Sequence, residues 1–192
     1  MDNTCRWALS SPVMKKYHDE EWGRPSHDDA YLFTMLNLEG QQAGLSWAII
    51  LKRREGMIKA FANFEPHILA NMSEGQIEVL LTDDRIIKSR RKILAVRDNA
   101  RAYLELVKSY GTLSHFLWSF VEYKPIINNI KNNEEVLTQS DLSIKISKAL
   151  KKFGFKYVGP VIIYSYLQAI GIIEDHLNSC PQKTILKAPD GR

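Results

Sequence analysis

The sequence lacks most of the features that secreted and membrane proteins need. Only two cysteines occur in 192 residues, Cys5 and Cys180, and no charged segment followed by an apolar one precedes the first of them. No apolar run approaches the roughly 20 residues that span a bilayer, since residues 158–173 are interrupted by Gly, Pro, Gln and Tyr. These absences argue against secretion and predict a soluble, intracellular protein without a membrane partner.

A strong excess of one charge is also missing. Lysine and arginine total 26 against 22 acidic residues, and a net charge of +4 does not by itself indicate a nucleic-acid partner. The distribution is more informative, because residues 85–108 contain eight basic side chains against two acidic ones. A second cluster contains no acid at all and consists of Lys145, Lys148, Lys151, Lys152 and Lys156.

Sustained apolar–polar alternation is hard to find, whereas helical spacing of apolar residues recurs throughout, so we predict an all-α fold. The hydrophobic content of 45% suffices for a sizeable core. Ser73 and Gln76 fit a capping box for a helix over residues 74–81, and a long basic helix is expected over 89–108. Residues 124–140 are rich in asparagine and are interpreted as a loop, the weakest candidate for packed structure.

Two cysteines and two histidines form half-sites near the two ends of the chain. Cys5 and His18 lie near the start, whereas His176 and Cys180, which we expect to be one helical turn apart, lie near the end. Four such donors suit tetrahedral zinc, and a closed Cys₂His₂ set leaves no open position for water, so the ion would be structural. The alternative is a free thiol in each segment and two surface histidines.

The segment at 150–160 reads L-K-K-F-G-F-K-Y-V-G-P and predicts a helix, a tight hairpin and a second helix. Amide groups of such a hairpin can hold a DNA phosphate, and lysines add attraction that is independent of base sequence. The alternative is an ordinary corner between helices with a solvated lysine face. Generic hairpins of this kind carry glycine where this chain has Tyr157. The candidate DNA contacts are Lys152, Gly154, Lys156 and Gly159.

The segment at 38–47, L-E-G-Q-Q-A-G-L-S-W, places a carboxylate at the end of an apolar helical face. A buried Glu39 would need a partner, because leaving a buried charge unpaired costs several kcal/mol. The alternative is a helix C-terminus at which Glu39 bonds local amides. Trp7, Tyr17 and Trp22 add an unusual aromatic density, which is typical of either a core or a stacking cage.

Taken together, these segments resemble the DNA-3-methyladenine glycosylase I family. The resemblance covers nearly the whole chain, including C-R-W at 5–7, Y-H-D-E-E-W-G at 17–23, G-F-K-Y-V-G-P at 154–160 and D-H at 175–176. Its most specific segment is E-G-Q-Q-A-G-L-S-W at 39–47. The resemblance implies a helix-hairpin-helix glycosylase fold and hydrolysis of the bond between 3-methyladenine and deoxyribose.

The family resemblance also implies site residues. It assigns one structural Zn²⁺ to Cys5, His18, His176 and Cys180, and a base pocket to Trp7, Tyr17, Trp22, Glu39 and Trp47. Glu39 would accept hydrogen bonds from the adenine amino edge, and Tyr17 would orient the same base, so these two are the expected catalytic residues. Leu45 would fill the gap that a flipped base leaves, or else belongs to the core.

The expected organisation is a single compact unit over 1–192 with two lobes, one around the hairpin and one built from both termini around zinc, and a flexible tail from about 182 to 192. The expected partner is double-stranded DNA containing 3-methyladenine, bound by a monomer in the bacterial cytoplasm, at the nucleoid. One alternative is a zinc-stabilised helical DNA-binding module without enzymatic activity. Another alternative, a glycosylase-lyase, would require a nucleophilic lysine just after the hairpin, but that position is occupied by Val161, Ile162 and Ile163.

Overall fold

The computed structural model describes residues 4–183, and helices dominate this range. They are α1 (Pro12–Glu20), α2 (Asp29–Gln42), α3 (Trp47–Ala60), α4 (Pro66–Ala70), α5 (Glu74–Thr82), α6 (Arg90–Tyr110), α7 (Leu113–Ser119), α8 (Asp141–Lys152) and α9 (Pro160–Ala169). Short 3₁₀ helices lie at Arg6–Ser10, Ala62–Phe64 and Asn133–Glu135, and two-residue strands at β1 (Ile126–Ile127) and β2 (Ile173–Glu174). The predicted all-α class is confirmed, apart from this minimal sheet.

Several helices begin where the sequence predicts, because a side chain accepts a bond from an otherwise unpaired amide of the first turn. Ser73 and Gln76 form the predicted capping box of α5. Ser11 accepts from the amide of Met14 at the start of α1. The predicted long basic helix is α6, which ends at Gly111 with a φ of 78°.

Helix α2 lies at the centre of the molecule and determines where the candidate site forms. It packs against α3, α6, α7 and α9, and nine of its fourteen residues are buried, including Glu39 in its last turn. A helix that is apolar nearly all round is a core helix. A carboxylate in its last turn is therefore carried into the interior.

The asparagine-rich segment is more ordered than its composition suggests. Strand β1 pairs with β2 in parallel, with Ile126 opposite Ile173, and a further bridge joins Ile130 to Leu177. Ile130 is buried. The interpretation of 124–140 as poorly packed was therefore wrong for its first half, since a pair this short carries too few residues for alternation to be seen.

The last described segment also departs from expectation. His176 and Cys180 are not one turn apart on a helix, because His176 lies two residues after β2 and Cys180 ends a turn in which its amide donates to the carbonyl of Leu177 at 2.8 Å. Lys183 is buried, and its ammonium donates to the carbonyl of His176 at 3.0 Å. Residues 184–192, most of the tail predicted to be flexible, lie outside the described residues.

Within residues 4–183, none of the helices is both long enough and apolar enough to cross a membrane.

Candidate active site

A cavity of about 670 Å³ brings the predicted base-binding residues together. Trp7 comes from the first 3₁₀ helix, Tyr17 from α1, Glu39 from the last turn of α2 and Trp47 from the first residue of α3. Trp22, just after α1, lines the same space. Four separate segments therefore converge on one cavity, which matches the set that the sequence predicts.

The aromatic rings of the cavity pack against one another. The ring centroids of Trp7 and Trp22 are 5.0 Å apart at an interplanar angle of 76°, and those of Tyr17 and Trp47 are 5.6 Å apart at 58°. Edge-to-face contacts of this kind restrict ring rotation and contribute about 0.5–1.5 kcal/mol each beyond burial. The wall of the cavity is therefore both aromatic and preorganised.

Glu39 is the most unusual polar group of the cavity. Its side chain is only 4% exposed, and its carboxyl group has no hydrogen-bond partner among residues 4–183. Burial alone raises the pKa of Glu39 to about 8. The alternative in which Glu39 bonds local amides at a helix end is therefore wrong, and the carboxyl group is free to bond a ligand.

Tyr17 provides a hydroxyl group beside this carboxyl. The side chain is 3% exposed, and burial together with the nearby charge of Glu39 raises its pKa well above the usual value. The phenol therefore stays protonated at any pH at which the protein is folded. Within the described range its hydroxyl bonds no other group, so it too can turn to a ligand.

Asp175 is a cavity residue to which the sequence analysis gave no role. Its carboxylate accepts hydrogen bonds from the Tyr164 hydroxyl at 2.6 Å, the Gln168 amide at 2.7 Å and the Asn128 amide at 2.6 Å. These donors fix its orientation across α9 and the segment after β1. The D-H pair at 175–176 was noted in the sequence. The role of Asp175 could not be predicted, because its three hydrogen-bond donors lie far apart along the chain.

The turn between α2 and α3 holds Leu45 at the edge of the site. Leu45 is half-buried and packs against the core, while its neighbours Gly44 and Ser46 are exposed. The side-chain amide of Gln42, another cavity residue, donates to the carbonyl of Leu45 at 2.6 Å. The turn is thus tied directly to the cavity wall, and Gly44 supplies the positive φ of 79° that the turn requires.

The predicted helix, hairpin and second helix are present as α8, residues 153–159 and α9. Gly154 has a φ of 97°, and Tyr157, which stands where generic hairpins carry glycine, has a φ of 54°. The chain therefore keeps the left-handed backbone despite the Cβ of tyrosine. Lys152 and Lys156 are exposed, whereas Gly154 and Gly159 are half-buried.

The two basic clusters differ in how their charges are used. Most cations of residues 85–108 pair with nearby carboxylates, which leaves little net charge for a ligand: Arg85 with Asp83, Lys88 with Asp84, Arg90 with Glu74 and Glu78, Arg97 with Glu74, and Lys108 with Glu105. By contrast, in the described part of the chain none of the five lysines at 145–156 forms an ion pair. The hairpin cluster is the available cationic surface.

A possible metal site lies beside the cavity. The ligand atoms of Cys5, His18 and Cys180 all lie within 4.8 Å of one another and are buried, and both cysteines are free thiols. The imidazole Nδ1 of His18 lies 2.7 Å from the Asp19 carboxylate, which leaves Nε2 directed at the Cys180 sulfur, 3.6 Å away. Such an outer carboxylate is the usual means of orienting a ligating histidine.

His176 fits this cluster as a fourth donor. Its ring centroid lies 4.8 Å from that of His18, and its Nδ1 lies 2.6 Å from the Glu174 carboxylate. Its Nε2 is buried without any hydrogen-bond partner among the described residues. An orphaned imidazole nitrogen on a ring that packs against His18 is what a metal ion would satisfy, so the residues present fit such an ion.

The geometry so far defines a helical protein with an open aromatic cavity, a buried carboxyl group and a cationic hairpin, features typical of the class of protein that handles a base taken out of duplex DNA. The family model for methyladenine glycosylase matches residues 7–183. The DNA-3-methyladenine glycosylase of Haemophilus influenzae is 42% identical, covering 96% of this chain and 100% of that protein. DNA-3-methyladenine glycosylase 1 of Escherichia coli is 44% identical, covering 92% and 94%.

One similar solved structure is that of 3-methyladenine DNA glycosylase I from Staphylococcus aureus, which was studied for its recognition of 3-methyladenine. It superposes on this chain with a TM-score of 0.92 at 39% identity, and the match covers 99% of this chain and 98% of that one. The chain belongs to the methyladenine glycosylase family.

Proposed function

We infer that the protein is a DNA-3-methyladenine glycosylase of base-excision repair, a hydrolase of N-glycosyl bonds. The observation that carries this inference is the buried Glu39, which has no hydrogen-bond partner among the described residues and lies within an aromatic cavity, in a chain that matches the family model along almost its full length. A DNA-binding module without activity would have no use for such a cavity. The relatives described above are named as glycosylases of 3-methyladenine.

We propose that the cavity recognises the base by its charge and its edge. Methylation at N3 makes the adenine cationic while it is attached to deoxyribose, so stacking on Trp7 and Trp47 adds roughly 0.5–2 kcal/mol per aromatic contact. Glu39 accepts hydrogen bonds from the exocyclic amino group, and Tyr17 donates to the same base. The positive charge of the bound base favours the ionised form of Glu39 over the protonated form that burial favours in the empty cavity. Guanine presents a keto oxygen at that edge, which would face the carboxylate and is disfavoured.

The chemical step is a displacement by water. The glycosidic bond breaks with its electron pair going to the base, which leaves as neutral 3-methyladenine; water bonds to the sugar carbon and loses one proton to solvent. Because the leaving group is already cationic, the protein needs no second carboxylate to protonate it. The residues after the hairpin, Val161, Ile162 and Ile163, offer no amine nucleophile for a lyase reaction.

We propose that double-stranded DNA is held by the hairpin and the turn. Lys152 and Lys156 attract the backbone, the amide of Gly159 faces a phosphate, and Gly154, whose own amide donates to the carbonyl of Lys151 at 3.0 Å, shapes the hairpin that lies on the DNA. In support, the amide groups of residues 157–159 donate no hydrogen bond within the described part of the chain. Leu45 would fill the gap left by the flipped base. We further propose a monomer that acts on the DNA of the bacterial nucleoid.

We also propose one structural Zn²⁺ held by Cys5, His18, His176 and Cys180. Bound there, the ion would act as a closed structural centre that joins the segment before α1 to the segment after β2. Metal analysis should find one zinc per chain, and Cys180→Ser should lose it. Retention of stoichiometric zinc by Cys180→Ser would remove Cys180 from the ligand set.

The test of the proposed function is product analysis. Alkylated duplex DNA incubated with the protein should release free 3-methyladenine, detected by chromatography, while the strands stay intact until alkali is added. Strand cleavage without alkali would indicate a lyase. The absence of any free base would overturn the enzymatic assignment in favour of a DNA-binding module.

A further inference from the structure

Lys92 is a buried amine that forms no ion pair with the described residues. It is the third residue of α6 and is 8% exposed. Its ammonium donates to two main-chain carbonyls, that of Gln41 at 2.6 Å and that of Ala43 at 2.8 Å. In return, the side-chain amide of Gln41 donates to the carbonyl of Lys92 at 3.1 Å. Three hydrogen bonds thus join the start of α6 to the end of α2.

The two carbonyls belong to a helix end that would otherwise be unsatisfied. The last carbonyls of a helix have no partner within it, and they form the negative end of its dipole. An ammonium placed there satisfies both needs. This position also explains why a lysine is tolerated in the interior, although burial lowers its pKa.

The clamped segment connects two elements of the site. Glu39, in the cavity, lies two residues before Gln41, and Leu45 lies two residues after Ala43. Two further hydrogen bonds hold the turn, from the Gln42 side chain to the carbonyl of Leu45 and from the amide of Leu45 to the carbonyl of Gln42, and neither reaches the carbonyl of Ala43. Without Lys92, the carbonyl of Ala43 would lose its only side-chain donor among residues 4–183, and the turn could rotate about Gly44.

We propose that Lys92 is a positioning residue that fixes the turn at 43–46, so that Leu45 enters the duplex while Glu39 contacts the flipped base. This inference rests on the proposed function and on the role proposed there for Leu45. Lys92 itself touches neither base nor DNA in this proposal. Its effect should therefore appear in steps that need the duplex and be absent from binding of the free base.

The experiment compares Lys92→Met with Lys108→Met. Lys108 lies on the same helix but is exposed and paired with Glu105, so its substitution controls for the loss of one charge. Single-turnover release of 3-methyladenine from alkylated duplex should fall about tenfold in Lys92→Met and stay unchanged in Lys108→Met. Affinity for free 3-methyladenine, measured by quenching of tryptophan fluorescence, should change less than twofold in both.

A double-mutant cycle with Leu45→Ala separates positioning from a general structural effect. If Lys92 acts through the turn, Lys92→Met should slow release less than twofold further in the Leu45→Ala background. Fully multiplicative losses, a parallel loss of free-base affinity, or a normal rate in Leu45→Ala would each overturn the proposal. Should Lys92→Met not fold, Lys92→Arg, which keeps the charge and donors, should show a partial loss with the same dependence on Leu45.

These outcomes are distinct from failure of the proposed function. In that case the unsubstituted protein would release no 3-methyladenine at all. Every comparison among variants presupposes that it does.

Discussion

The buried carboxyl group of Glu39 should make the protein less stable as pH rises. In the unfolded chain this group ionises near 4.5, whereas in the folded protein its pKa is about 8 because of burial. Between these values the folded state keeps a proton that the unfolded state has lost. The free energy of unfolding therefore falls with increasing pH through this interval. Replacing the carboxyl by an amide, in Glu39→Gln, should remove that dependence.

The size of the effect follows from the two pKa values. One pKa unit corresponds to 1.36 kcal/mol, so ionisation of Glu39 in the unfolded chain lowers the free energy of unfolding by about 2 kcal/mol at pH 6 and about 4 kcal/mol at pH 8, relative to a pH at which both states are protonated. Any difference in stability between Glu39→Gln and the protein with protonated Glu39 is independent of pH, so it contributes equally at pH 6 and pH 8. The advantage of Glu39→Gln over the unsubstituted protein should thus grow by about 2 kcal/mol from pH 6 to pH 8.

Urea unfolding of both proteins at several pH values between 6 and 8 measures this difference directly. Glu20→Gln is a suitable control, since Glu20 is exposed on α1 and reports on the substitution in solvent. A stability difference that is flat over this interval would refute the idea that Glu39 is buried without a partner. Glu39→Gln should meanwhile weaken 3-methyladenine binding more than binding of undamaged DNA.

Two further substitutions test the fold and the hairpin. In Gly171→Ala the new Cβ would lie 2.2 Å from the backbone at Arg24, so we expect the free energy of unfolding, measured thermally or in urea, to fall by about 3 kcal/mol or more. The control is Gly111→Ala, which has a similar φ but open space around it and should lose only about 1 kcal/mol. Equal losses in the two variants would contradict the clash at Arg24. Asn99 accepts from the amide of Lys156 at 2.7 Å, so Asn99→Ala should weaken binding of undamaged duplex severalfold in fluorescence anisotropy and leave free-base affinity intact; unchanged duplex affinity would argue against the hairpin as the DNA contact.

Much of the helical framework could be predicted from the sequence because its signals are local. The capping box at Ser73 and Gln76 lies within four residues, and Gly154 and Pro160 mark the ends of α8 and the hairpin within the segment itself. The aromatic cavity was also predicted, although by resemblance of the segment at 38–47 to a known family. Patterning alone left two environments open for Glu39, a buried one and a helix C-terminus at which it bonds local amides.

The features that escaped prediction depend on contacts between distant parts of the chain. The pairing of β1 with β2 involves two residues on each side, too few for a periodic pattern. The three donors around Asp175 come from α9 and from the segment after β1. The segment at 85–108 is strongly basic by composition, but five of its eight cations pair with carboxylates of α5, of α6 itself and of the turn between them, and only the folded arrangement reveals this.

The joining of the two ends of the described chain beside the cavity has a consequence for how the protein matures. Trp7 and Tyr17 are synthesised before most of the described chain, and the cysteine that completes the buried cluster at Cys5 and His18 is made more than 160 residues after His18. During synthesis the aromatic wall therefore has no fixed backing until nearly all of the described chain has been made. A chain that ends before Cys180 would contain the cavity residues Trp7, Tyr17 and Trp47 without the contact between Cys180 and His18.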